Sequence, residues 1–269
     1  MRFRFLLSLF LGAFIFSGCG MHSNQEGGSS KSSSRFNEAL ESQPKSSYLS
    51  FSSWSTQSSR NCDYSAENSS DLFSLSFDVN TNNAEEFLNL CMRTYRCSAH
   101  GSAAISSFAE MRRSFRIAVV EFSTLPDHPA DANSGALLGI YLTGGDTVYF
   151  QAGFYAGTKT VKACGVLLHE LYHFYSTNGR RVTPSLEVEF PAHYYEEWYT
   201  AEFQALMNGQ RAVGPRYYEG GNRLFTRYTL AADIDAAYGF TTSSSETNRI
   251  VSSFAPFPGE TRGSVATNP

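Results

Sequence analysis

The stretch Val161-Lys162-Ala163-Cys164-Gly165-Val166-Leu167-Leu168-His169-Glu170-Leu171-Tyr172-His173-Phe174-Tyr175 decides how this chain is read. Its apolar side chains would cover most of a helical surface, which predicts a helix buried on nearly all sides. Thr158 or Thr160 can cap the start, and Asn178-Gly179 can end it. Two imidazoles and a carboxylate on such a helix are costly to bury without a partner. Residues four apart on a helix lie within about 40° of each other, so His169 and His173 share a face. That spacing lets both rings reach one metal ion, and zinc takes imidazole nitrogens at roughly 2.0–2.1 Å. Glu170 is rotated off the pair, where it can touch a metal-bound water rather than the metal. The order HExxH thus supplies two ligands and a general base.

A catalytic zinc keeps three protein ligands and one open position, so a third ligand is needed. The acidic stretch after Pro191 is its expected source. It reads as a helix that starts at Pro191 and ends near Asn208-Gly209. Tyr194, Trp198, Ala201 and Ala205 would form a narrow buried stripe, with Glu196 almost opposite and facing solvent. Glu197 and Glu202 flank that stripe, each about 70° from its centre. The residues alone leave those two open, with Glu187, Glu189 and His193 behind them.

An HExxH helix followed after a loop by a Glu on a second helix resembles the gluzincin metallopeptidases. The metzincin extension is absent, because Ser176 and Gly179 stand where Gly and His would be needed. Within Glu197-Trp198-Tyr199-Thr200-Ala201-Glu202-Phe203-Gln204, the arrangement E-x-x-[small]-x-x-x-Q is similar to the third-ligand helix of several small gluzincins. The resemblance extends over residues 148–206. It implies an α+β, zincin-like domain in which a small antiparallel or mixed sheet precedes the HExxH helix. It also implies one zinc per chain on His169, His173 and Glu197, with Thr200 as the small packing residue. The activity implied is peptide-bond hydrolysis, with Glu170 as base toward a zinc-bound water. His193 leads Tyr194, Tyr195, Tyr217 and Tyr218 as a donor to the oxyanion. In such proteins the strand before the metal helix often pairs with an extended peptide. Thr147 to Gln151 would take that role here, or be an ordinary internal strand.

The rest of the chain gives this domain a setting. Arg2 and Arg4 followed by the apolar run Phe5–Phe16 read as an export signal over residues 1–18, too short to span a bilayer. Phe16-Ser17-Gly18-Cys19 resembles a bacterial lipobox, which implies lipid on Cys19. Gly20 after it implies the outer membrane, and so a location in the cell envelope. Residues 19–59 are rich in Ser and read as a flexible tether with a reach of about 35 Å. Residues 60–269 then form one domain.

Inside it, Phe73 to Val79 alternate as a strand. Asn83 caps a helix with a stripe of Phe87, Leu88, Cys91, Met92 and Tyr95. A helical stretch with Ile105, Phe108 and Met111 leads into a strand at Ile117 to Phe122. Leu137–Leu142 and Thr147–Gln151 flank the hairpin turn Gly144-Gly145-Asp146. Later helices are expected at Leu230–Tyr238 and near Ile250.

Cys62, Cys91, Cys97 and Cys164 are even in number, which in an exported chain favours disulfides. Closure of Cys91 onto Cys97 over a helix end would leave Cys62 for Cys164, but three connectivities stay open. A formal charge of −4 argues against nucleic acid as partner. The expected partners are a peptide or protein substrate and a membrane reached through the lipid. Two alternatives stand beside the peptidase reading. One is a non-catalytic envelope lipoprotein with a structural or degenerate zinc site. The other is a zinc hydrolase of cell-wall peptide cross-links.

Overall fold

A computed structural model describes residues 49–50, 62, 84–111, 113–120, 139–141, 144–151, 160–207 and 227–257. The run around His169 forms one helix, Thr160–Thr177. Val166, Leu167, Leu168, Leu171 and Phe174 on it are fully buried, as an all-round apolar surface requires. It stops at Asn178 and Gly179, whose φ angles of 47° and 75° are left-handed. Asn and Gly tolerate that conformation best, so the helix ends where they stand.

In chain order the elements are β1 (Leu49–Ser50), α1 (Ala84–Tyr95), α2 (Ala99–Ala109), β2 (Ser114–Val120) and β3 (Gly139–Tyr141). They continue as β4 (Thr147–Gln151), α3 (Thr160–Thr177), α4 (Leu186–Met207), α5 (Arg227–Tyr238) and α6 (Ser244–Ser253). The chain is mixed α+β and mostly helical, with one small mixed sheet in the order β1-β2-β4-β3. β2 runs parallel to β4, with Ile117 opposite Val148, and β3 runs antiparallel to β4, with Ile140 opposite Tyr149. Gly144 turns the β3–β4 hairpin with a φ of 92°.

β4 is therefore paired on both sides. Its Thr147, Val148, Tyr149 and Phe150 are all buried, the pattern of a central strand covered on both faces. Of the two roles expected for it, the structure gives the internal strand. β3 is the outer strand at this end of the described sheet. At the other end Leu49 and Ser50, within the stretch read as a tether, pair with Phe115 and Ser114.

α1 buries the expected stripe of Phe87, Leu88, Cys91, Met92 and Tyr95 against the core that α3 centres. α2 starts at Ser98, whose hydroxyl accepts from the Gly101 amide as a helix cap. The disulfides are Cys62–Cys97 and Cys91–Cys164, so the closure of Cys91 onto Cys97 does not occur. Both residues sit in or just after α1, where an offset of six does not bring side chains together. Cys91 instead faces inward and fixes α1 to α3 at Cys164, five residues before His169. The leader, Cys19, the strand expected at Phe73–Val79, Asn83, Asn208-Gly209, Tyr217 and Tyr218 lie outside the described residues.

Candidate metal centre

α4 starts five residues before Pro191, the residue expected to open it. The amides of Val188 and Glu189 both donate to the Ser185 carbonyl at 3.0 Å, which closes a first turn ahead of the proline. Pro191 brings no amide to the second turn. Packing outweighs that loss, because Phe190, Ala192, Tyr194, Tyr195, Trp198 and Tyr199 are all buried. The extra turn adds Glu189 to the helix. Glu189, His193 and Glu196 then stand at i, i+4 and i+7, one polar stripe along an otherwise apolar helix.

That stripe meets His169 and His173 of α3. The Nε2 atoms of the two histidines lie 2.9 Å apart. Glu189 Oε2 lies 3.3 Å from each of them. On the far side of the His169 ring, Nδ1 stands 3.0 Å from Glu196 Oε2. The same Glu196 oxygen is 3.3 Å from His193 Nδ1, and His193 Nε2 is 3.1 Å from the Tyr238 hydroxyl at the end of α5. His169, Glu170, His173 and Glu189 are completely buried, and His193 and Glu196 nearly so.

Glu189 is a severe test of what this space is for. Among the described residues neither of its oxygens meets a hydrogen-bond donor at good geometry, nor does Nδ1 of His173. A buried carboxylate held only by imidazoles at 3.3 Å is expensive, and a cation between the three groups removes that cost. His169, Glu189 and His193 form a buried group that could hold a metal ion, their ligand-type atoms lying within 4.8 Å of one another. The trio of His169, His173 and Glu189 is tighter. Its spacings match the roughly 3.3 Å between neighbouring ligands of a tetrahedral ion bound at 2.0–2.1 Å. His193 is engaged at both nitrogens, by Glu196 and Tyr238. The tighter trio is therefore the better fit.

Charge in the cluster follows from these contacts. Burial opposes a cationic His169, but Glu189 and Glu196 outweigh it and raise its pKa to about 10. Burial pushes His173 down, and the neighbouring His169 and His193 push the same way against Glu189. His193 is lowered by burial and by His169. Burial would raise Glu189, yet His173 and His169 hold it well below the usual carboxylate range. His169 and His193 do the same for Glu196. The site thus presents two anionic carboxylates among three imidazoles, a donor set suited to a divalent cation.

The expected residues divide as follows. His169, His173 and Glu170 share one helix, as their spacing required. Glu170 lies beneath β3: a Cβ built on Gly139 would stand 3.2 Å from Glu170 Cγ. The carboxylate beside the histidine pair is Glu189, and not Glu197 as the resemblance implied. Glu197 is half-buried and lies about 80° around α4 from Glu189. Glu202 is occupied elsewhere, accepting from the Ser98 hydroxyl and the His100 amide at the start of α2. Glu187 is exposed and pairs with Arg249. Glu196, expected in solvent, is buried against His169, because α4 is covered on nearly every side and has no free face opposite a stripe. Of the oxyanion candidates, His193 borders the cluster. The Tyr195 hydroxyl accepts from the Phe257 amide, and that of Tyr194 stands 3.5 Å from His100 Nε2. No family model, curated protein or solved structure matches the chain.

Proposed function

We propose that the chain is a zinc-dependent metallopeptidase of zincin type, with His169, His173 and Glu189 as its metal ligands and Glu170 as general base. The observation that carries this reading is the convergence of three ligand atoms from two helices at separations of 2.9 and 3.3 Å. Zinc held there would supply Lewis acidity toward a scissile carbonyl and lower the pKa of a water beside it. Glu170 takes the proton of the attacking water and passes it to the leaving amine. Its burial under β3 excludes bulk water from that transfer. β3, the outer strand among the described residues, offers backbone donors and acceptors to an extended peptide.

Two disulfides suit an oxidising compartment, in keeping with export. Lipid on Cys19 would hold the domain at the bacterial cell envelope. Cys19→Ser should release the protein from membranes or block its processing.

One feature favours the rival of a structural zinc site. His193 brings a further imidazole to the cluster, and exchange of its Tyr238 contact for a metal would complete the four protein ligands of a closed structural site. Zinc analysis together with hydrolysis of a casein-like unfolded chain separates the two. Stoichiometric zinc with cleavage supports the peptidase, whereas stoichiometric zinc without cleavage supports the structural site.

A further inference from the structure

We propose that Glu196 is a positioning residue whose single oxygen Oε2 fixes the tautomers of His169 and His193 at once, an inference that rests on the metal reading above. The Glu196 Oε2 faces Nδ1 of both rings, at 3.0 Å and 3.3 Å. A carboxylate oxygen can only accept, so both Nδ1 atoms carry protons. The consequence for His169 is direct. With a cation in the space shared with His173 and Glu189, the ring gives up its Nε2 proton and keeps the one on Nδ1, so Nε2 is the ligand atom. His193 is set in the same way, so its Nε2 is an acceptor and the Tyr238 hydroxyl donates to it at 3.1 Å. A neutral His193 in this tautomer offers no Nε2 proton to an oxyanion. The role expected of it from sequence therefore passes away from that nitrogen.

A second observation concerns how Glu196 is seated. Gly165 stands one turn before His169 on α3, where α3 and α4 cross. A Cβ there would lie 3.0 Å from Thr200 Oγ1 and 3.4 Å from Glu196 Cγ. The Thr200 hydroxyl, the nearer of the two, donates to the Glu196 carbonyl at 2.8 Å. Gly165 and Thr200 together let α4 come close enough for Glu196 to reach under the His169 ring. Thr200, which the resemblance implied as a packing residue beside Glu197, here lies against Gly165 and bonds the carbonyl of a residue four before it.

The test uses the full chain, with zinc affinity measured by chelator competition and imidazole protonation read by nitrogen-15 NMR. Zinc-loaded wild type should show His169 and His193 each protonated at Nδ1. Glu196→Gln, which keeps an acceptor oxygen but no charge, should bind zinc about 10-fold more weakly, and Glu196→Ala about 100-fold. Gly165→Ala, which crowds Glu196 without touching the His169 ring, should shift affinity in the same direction. Zinc on Nε2 leaves the His169 proton on Nδ1 whatever Glu196 does, so His193, engaged by Glu196 and Tyr238, is the ring that reports the role of Glu196. Protonation of either ring at Nε2 in the wild type overturns the proposal, as does wild-type affinity in both Glu196 variants. If Glu196→Ala does not fold, Glu196→Gln and the wild-type spectrum decide. A wild type that takes up no zinc overturns the metal reading instead. His193 then still decides for Glu196, with Nδ1–H upholding its role and Nε2–H refuting it.

Discussion

Glu189 Oε2 stands 3.3 Å from His173 Nε2, although the two residues belong to different helices and are separated by a turn and a loop. The same oxygen is equally close to His169 Nε2. Glu189→Ala should therefore abolish stoichiometric zinc in the purified chain, while Glu197→Ala should retain it. Elemental analysis of both variants beside wild type is the measurement. Full zinc in Glu189→Ala, with loss in Glu197→Ala, would restore the ligand set that the resemblance implied.

The sequence made α3 legible because everything that defines it is local. Its apolar positions follow the helical period, its two histidines are four apart, and Asn178-Gly179 end it. The partner helix was harder to read for two physical reasons. Pro191 reads as a helix start, since a proline at the first helical position loses nothing. Here it stands inside α4 and is tolerated because the surrounding side chains are buried. The second reason is that α4 has no single buried face, so a stripe drawn through Tyr194 and Trp198 put Glu196 in solvent. A usable signal was present: Glu189, His193 and Glu196 repeat at i, i+4 and i+7 on an apolar background, the logic that singled out His169 and His173. The disulfide pairing depends on how α1 lies against α3, a tertiary relationship that spacing does not encode.

In the proposed mechanism Glu170 is adjacent to a ligand without being one, and this separates base from ligand by experiment. Glu170→Gln is nearly isosteric and should keep both fold and zinc. Cleavage of an unfolded protein substrate should fall by about 10²–10⁴, the contribution of a positioned acid–base group. His173→Ala should lose zinc and activity together. A Glu170→Gln preparation that cleaves at the wild-type rate would show that the activity belongs to another protein.

Cys91–Cys164 spans 73 residues and Cys62–Cys97 spans 35. By loop-closure entropy each constrains the unfolded chain by about 4 kcal/mol, with the longer loop ahead by less than about 1 kcal/mol. The former also ties α1 to the helix that carries His169. Replacing Cys91 and Cys164 by Ala should lower the melting temperature and weaken zinc binding, whereas replacing Cys62 and Cys97 should lower only the melting temperature. Thermal melts and zinc competition on the two double variants check this. Equal zinc affinity in both would mean that the Cys91–Cys164 link does not hold the ligand helix in place.

Glu202 closes the start of α2 from the far end of α4. It accepts from the Ser98 hydroxyl and the His100 amide, and stands 2.6 Å from His100 Nδ1, whose ring stacks on Trp198. Burial alone would raise its pKa, but His100 and Ser98 hold the carboxyl below its ordinary value. A depressed carboxylate pKa stabilises the fold above the unfolded-state value of about 4.3. That contribution is lost as pH falls through this value toward the folded one. At neutral pH Glu202→Gln should cost about 1.5–3 kcal/mol, the range for hydrogen bonds to a charged group. Other acidic groups are common to both proteins, so the difference between their stability curves isolates Glu202. The gap between wild type and Glu202→Gln should be full at pH 6–7 and close as pH drops below about 4. Denaturant melts at stepped pH measure it, and a gap that stays constant down to pH 3 would show that the Glu202 charge contributes nothing to holding α2 on α4.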